Sequence, residues 1–142
     1  MTNSKINQVT SLLFKTTRLI QEHLRPAKKT DPATFLRMGT LHYIFEHGHP
    51  TMQEISKFLF ITPPSVTPLI NGLIKTKMIS RISDDKDRRI VRLSITSQGK
   101  KTLEKACREM TSRMSEVLKK LDTKDHDDLI RIIQKLNQTY KI

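Results

Sequence analysis

The side chains with the greatest capacity for chemistry are Arg88 and Arg89, which directly follow Asp87 at the end of the polar run Ser83-Asp84-Asp85-Lys86-Asp87-Arg88. A hairpin tip offers little apolar area to hold a guanidinium down, so both are expected to reach outward. An arginine that enters a narrow minor groove gains from the enhanced negative potential there. Asp87 is unfavourable beside phosphate unless it orients a neighbouring arginine through a charge-assisted bond. Upstream, Ser65, Thr67 and Asn71 fall opposite Val66 and Ile70 in a helical repeat. Their hydroxyl and amide groups are able to bond base edges or phosphates.

The charge balance agrees with that chemistry. The 142 residues carry 26 Lys+Arg against 14 Asp+Glu, a formal charge of +12. Between Thr51 and Lys101 there are ten basic and four acidic residues, a local excess of +6. Such a balance points to a polyanionic partner, nucleic acid or an anionic membrane surface. No run approaches the ~18 apolar residues of a membrane span. Met1 to Lys15 lacks the basic-then-apolar order of a secretory signal. The single cysteine, Cys107, has no internal disulfide partner and suits a reducing cytoplasm.

Other chemistries find little support. No GxGxxG, GxxxxGK[ST], HExxH or CxxC is present. Glu54 reads as a helix cap, and no carboxylate pair or nucleophile–base set is visible, so no enzyme is expected. His42, His47 and His49 lie close together, but His47 and His49 flank a helix-ending glycine and read as terminal and loop residues, so neither metal nor cofactor is assigned. Cys107 lies on an apolar stripe and reads as a small buried hydrophobe.

These residues require elements to position them. Ile6, Val9, Leu13, Ile20 and Leu24 recur at helical spacing from Lys5 to Leu24, with Arg25-Pro26 as the stop. Asp31-Pro32 reads as cap and first-turn proline of a second helix that buries Phe35, Met38, Leu41 and Phe45 and stops at Gly48-His49-Pro50. Thr51-Met52-Gln53-Glu54 is a capping box opening a short helix with Ile55, Phe58 and Leu59. Past Thr62-Pro63-Pro64 another helix buries Val66, Leu69, Ile70 and Leu73, and the two form a helix-turn-helix. Pro68 leaves two readings open. If the helix starts at Pro63, Pro68 deletes an intrahelical bond and kinks it; if Ser65 is the cap, Pro68 sits harmlessly in the first turn. After Lys77 the period becomes alternating: Ile79 and Ile82 precede the polar run, and Val91, Leu93 and Ile95 share a face beyond it, a hairpin. Gln98-Gly99 opens a long helix striped with Leu103, Cys107, Met110, Met114, Val117 and Leu121. Thr123 caps a last helix with Leu129, Ile132, Ile133, Leu136 and Tyr140. The fold class is mainly α with a small β-hairpin wing: a winged helix-turn-helix flanked by N- and C-terminal helices.

The run Asp87-Arg88-Arg89-Ile90-Val91-Arg92-Leu93-Ser94-Ile95-Thr96-Ser97-Gln98-Gly99 resembles the wing signature of the MarR family of bacterial transcription regulators. Leu59 to Arg81 is similar to that family's turn and recognition helix, with Ser65-Val66-Thr67 and Leu69-Ile70 in register. The resemblance implies one domain over residues 1–142. It would comprise a DNA-binding lobe over 31–96, with helix-turn-helix about 51–76 and wing about 78–96, and dimerisation helices over 1–30 and 97–142. It further implies a homodimer, a repressor in the cytoplasm of a bacterial or archaeal cell, that binds palindromic double-stranded DNA and is released by a small aromatic or phenolic effector.

Carried onto this chain, the DNA-contacting residues would be Pro64, Ser65, Thr67, Pro68, Asn71, Lys75, Arg88 and Arg89. The effector site would be formed by Leu13 and Thr17 with Phe35, Met38, His42 and Phe45; the bland alternative is a plain core in which His42 bonds a backbone carbonyl. Pro68 stands where the family often has a basic residue, and Lys77 where it usually has glycine. The paired histidines of zinc-sensing members are absent from residues 97–121, and the first helix lacks the cysteine of thiol sensors. The alternative function is a winged-helix protein–protein adaptor without specific DNA binding, which would have no need of two arginines at a hairpin tip.

Overall fold

The computed structural model describes residues 2–24 and 33–139. Their order is α1 (Thr2–Leu24), α2 (Ala33–His47), α3 (Met52–Leu59), α4 (Pro63–Lys75), β1 (Ile79–Ser83), β2 (Val91–Ile95), α5 (Ser97–Leu118) and α6 (Thr123–Thr139). The expected stop at Arg25-Pro26, the cap at Asp31-Pro32 and Tyr140 lie outside the described residues. Among those described, no helix is long and apolar enough to cross a membrane. The chain divides into two compact units, Asp31–Arg108 and a second made of Met1–Thr30 with Glu109–Lys141.

The Asp31–Arg108 unit holds the core: Leu41, Ile44, Ile55, Val66, Ile70, Leu73, Ile79, Leu93 and Leu103. On α4 the buried side is Val66, Leu69, Ile70 and Leu73, as the helical spacing predicts. In α2 the spacing misleads. Leu41 is buried as expected and Met38 partly so, but Phe35 and Phe45 are exposed, and Thr40 and Ile44 are buried in their place. Apolar residues occur on several sides of this helix, so periodicity does not single out one face. The Thr40 hydroxyl tolerates burial because it donates to the Leu36 carbonyl at 2.7 Å. Tyr43 stacks on Phe58 at 4.3 Å, joining α2 to α3.

β1 and β2 pair antiparallel from Ile79↔Ile95 to Ser83↔Val91. The Leu93 amide donates to the Pro50 carbonyl at 2.9 Å, so the chain before α3 extends the base of the hairpin. Leu93 is fully buried and Ile95 partly, whereas Val91 is exposed, because the shared face runs off the core at the hairpin's outer end.

In the other unit, the His23 ring bonds the Arg113 carbonyl at 3.1 Å and the Arg113 guanidinium donates to the Leu24 carbonyl at 2.7 Å. The His126 ring bonds the Leu118 carbonyl at 2.9 Å, holding the start of α6 to the end of α5. Asp122, not Thr123, caps α6: its carboxylate accepts from the Asp125 amide at 2.8 Å. Leu121 falls beyond the end of α5.

Candidate nucleic-acid interface

The helix-turn-helix is built by local bonds at each helix end. At the start of α3 the Thr51 hydroxyl accepts from the Glu54 amide at 3.2 Å, and Glu54 accepts from the Thr51 amide at 2.7 Å, the expected capping box. Phe60 ends the helix with φ 53°, in the left-handed region. The Ile61 amide then reaches back to the Ser56 carbonyl at 3.3 Å. The buried Ser56 hydroxyl donates to the Ile61 carbonyl at 2.6 Å, fixing the turn from inside.

Thr62 is the N-cap of α4, with Pro63 and Pro64 in the first turn. This decides between the two readings of Pro68. The helix starts at Pro63, so Pro68 lies inside it, and the Pro64 carbonyl receives no bond from the residue four positions on. The helix nevertheless runs to Lys75. Pro64, Ser65, Thr67, Pro68, Asn71 and Lys75 are all exposed, so the six residues assigned to this helix share its solvent side. That side carries no acidic residue.

Its polar groups are engaged within the protein. The Ser65 and Thr62 hydroxyls lie 3.2 Å apart, and the Thr67 hydroxyl donates to the Pro63 carbonyl at 3.4 Å. Arg81 of β1 donates to the Asn71 side-chain oxygen at 2.8 Å. α4 ends with Lys77 at φ 60°, while the Met78 amide bonds the Leu73 carbonyl at 2.9 Å and the Lys77 amide the Ile74 carbonyl at 2.9 Å. Lys77 therefore takes the left-handed position for which glycine is the usual residue.

The wing tip is ordered by two carboxylates. Asp84 accepts from the Lys86 and Asp87 amides at 3.1 and 3.0 Å and pairs with the Arg92 guanidinium. Arg92 also donates to the His49 carbonyl at 2.9 Å, tying the hairpin to the end of α2. The Arg92 bond, with help from the two amides, holds the Asp84 carboxyl below the usual carboxylate range, and Asp84 in turn raises the Arg92 guanidinium. Asp87 grips Arg89 with both oxygens, at 3.1 and 3.2 Å. This bond lowers the Asp87 carboxyl too. The Arg89 side chain is still 91% exposed. Asp87 thus orients the arginine, the arrangement its position required, and Arg88 is exposed beside it.

Sequence reasoning missed Asp84, Arg92, Arg81 and Thr96. Arg92 reads as an outward strand residue, and its partner lies eight positions away across the hairpin. In the sequence Thr96 stands out only as part of the wing motif. Its hydroxyl donates to the Lys77 and Met78 carbonyls at 2.6 and 3.0 Å and accepts from the Gly99 amide at 3.0 Å, so one side chain joins the wing's exit, the end of α4 and the start of α5.

The residues assigned to an effector site are placed as follows. In α1 the Thr17 hydroxyl donates to the Leu13 carbonyl at 2.8 Å, and both side chains are exposed. In α2, Phe35 and Phe45 are exposed and Met38 packs partly against the core. His42 Nδ1 lies 3.4 Å from the Glu46 carboxylate on the same helix. Within the Asp31–Arg108 unit a cleft of about 480 Å³ lies between α2 and the end of α4, edged by Arg37, Lys75 and Thr76 over Met38, Leu73 and Met78. Of the six assigned residues only Met38 lines it. Among the described residues no three His, Cys, Asp or Glu side chains gather as a metal site would need.

Residues 33–90 match the model of the MarR family. The chain is 25% identical over 125 residues to the HTH-type transcriptional regulator YwhA of Bacillus subtilis, an alignment covering 84% of this chain and 90% of that protein. It is 28% identical over 80 residues to the HTH-type transcriptional repressor MdtR of Bacillus subtilis, covering 56% of this chain and 52% of the repressor. A MarR family protein from Bacillus stearothermophilus shares the fold with a TM-score of 0.85 at 19% identity, over 98% of this chain and 97% of that one. The two Bacillus subtilis relatives are named as a regulator and a repressor of transcription.

Proposed function

We propose that this chain is a winged helix-turn-helix transcriptional regulator of the MarR family, a homodimeric repressor that binds a palindromic operator and is released by a small aromatic or phenolic effector. In this reading α4 enters the major groove, with Pro64, Ser65, Thr67, Pro68, Asn71 and Lys75 toward the bases and flanking phosphates. Arg88 and Arg89 reach the adjacent minor groove. The observation that carries it is the wing tip: an outward arginine held by a bidentate carboxylate, on a turn that Asp84 and Arg92 keep ordered. A guanidinium pre-oriented in this way loses less freedom when it meets phosphate or a base edge. A protein–protein adaptor gains nothing from it.

Repression as the sign of regulation follows the kinship with MdtR. The homodimer is supported by the unburied apolar residues of α1 and α6. Release by a small aromatic or phenolic effector is tested by titrating salicylate against the protein–DNA complex. A ligand acts only through different affinities for the DNA-competent and incompetent states, so binding without a shift in DNA affinity removes this part.

The decisive experiment for the whole reading is selection of bound duplexes from a random pool, followed by a salt titration. Phosphate neutralisation releases counterions, so affinity should fall steeply with salt. Arg89→Ala should weaken operator binding by ~1–3 kcal/mol per half-site and leave the melting temperature unchanged. Intact affinity with lowered stability would make Arg89 a structural residue.

A further inference from the structure

Resting on that DNA-binding reading, we infer that α4 reads thymine methyl groups in its half-site, using the rings of Pro64 and Pro68 and the methyl of Thr67. Major-groove recognition by hydrogen bonds needs donors or acceptors that the protein has not already used. On the solvent side of α4 such groups are few, and each is partly engaged within the protein. Ser65 is joined to Thr62, and the Thr67 hydroxyl turns back to the Pro63 carbonyl. Asn71 is the telling case. A guanidinium offers only donors, so the Asn71 atom facing Arg81 at 2.8 Å must be the oxygen. That bond takes one lone pair of the oxygen and fixes the direction of the amide, so Asn71 can meet a base only in the orientation that Arg81 sets. No arginine or lysine precedes Lys75 on this helix, so the commonest guanine contact is also missing from its first three turns.

What the helix still offers is carbon. Pro64 and Pro68 stand four residues apart, on one side of the helix, and both are exposed. The Thr67 hydroxyl proton turns to the Pro63 carbonyl, and its methyl is a further apolar group on this exposed residue. Of the four bases, only thymine presents a methyl group in the major groove. Exposed cations bring this apolar stretch to DNA: Lys75 and Lys77 at the end of the helix, Arg88 and Arg89 on the wing. Direction and charge come from the cations, and base preference from shape and apolar contact.

The test begins with the operator recovered by duplex selection. Thymines in each half-site are replaced singly by deoxyuridine, which lacks only the methyl and keeps every hydrogen-bonding group. Each contacted methyl should be worth about fourfold in affinity, the factor for burying one methyl-sized group. Thr67→Ser, which keeps the hydroxyl, should bind the thymine operator about fourfold more weakly and lose the deoxyuridine penalty at one position only, with an unchanged thermal melt. If a defined operator is recovered but every deoxyuridine duplex binds like its parent, this inference is overturned and the DNA-binding reading stands. If no duplex is preferred and binding ignores salt, the DNA-binding reading fails and this inference falls with it.

Discussion

The two units of this chain meet the demand for burial in opposite ways. Residues 33–108 enclose a core whose central side chains, Leu41, Ile44, Ile55, Val66, Ile70 and Leu93, are fully buried. In the unit of residues 2–24 and 109–139 no described side chain is fully buried. Ile6, Val9, Leu12, Leu13 and Leu19 of α1 are exposed, Phe14 to 75%, and so are Ile130, Ile132, Ile133 and Leu136 of α6. Helices with apolar faces that long are stable only when something covers them. The difference is that one unit encloses its apolar residues and the other leaves long apolar faces uncovered, which the proposed homodimer would cover with a second copy of the same helices.

The strongest way to break that contrast is Ile133→Glu. If α6 is an interface, each copy forces an unpaired carboxylate into it at about 3–5 kcal/mol. The dimer should dissociate in sedimentation and operator binding should collapse with it. A wild-type protein that sediments as a folded monomer at micromolar concentration would remove the contrast altogether.

Gly99→Ala probes the self-sufficient unit. A Cβ at this position would lie 2.1 Å from the Met78 carbonyl oxygen and 2.8 Å from Ile95 Cγ1, and backbone cannot step aside cheaply. We expect a loss of about 3 kcal/mol in urea unfolding, near the upper end for overpacked cores. A near-neutral result would mean that α5 can shift against the wing, and that the lobe is less rigid than its packing indicates.

Smaller gains should come from the two strained helix ends, Phe60 and Lys77. Lys77→Gly and Phe60→Gly should each stabilise by about 0.5–1 kcal/mol, since glycine adopts positive φ without the Cβ penalty. The thermal melt should move upward for both, and a fall would show that the side chain contributes more than its backbone strain costs.

The smallest effect concerns acid. The folded carboxyl of Asp84 titrates below its ordinary value of 3.8. Its contribution is therefore complete above the ordinary carboxylate range and is lost as pH falls through the lowered folded value. The stability gap between wild type and Asp84→Asn should be steady near neutrality and shrink as pH drops below about 4. A gap independent of pH would show that the Arg92 bond does not depend on the charge of Asp84.

Much of the lobe was legible from residue order because its rules are local. Spacing alone identifies the buried side of α4, and a threonine three residues before a glutamate announces the start of α3. The wing arginines could be singled out because guanidinium groups at a polar turn have few other roles. Local rules fail where a residue faces more than one environment. α2 is apolar on several sides, so Phe35 and Phe45 were wrongly expected to be buried.

What the sequence by itself determined, then, is the succession of helices, the hairpin and the charged character of its tip, since periodicity, caps and charge act within a few residues. Only the tertiary structure decided which polar groups remain available. Arg92 leaves the strand's outer side to hold Asp84, and Arg81 takes the oxygen of Asn71 from ten residues away. Thr96 joins three elements through one hydroxyl. The first depends on the two strands pairing, and the others on where the hairpin sits against the end of α4 and the start of α5. No pattern along the chain encodes that distance, because a hydrogen bond is set by where two atoms meet in space and not by how many residues separate them.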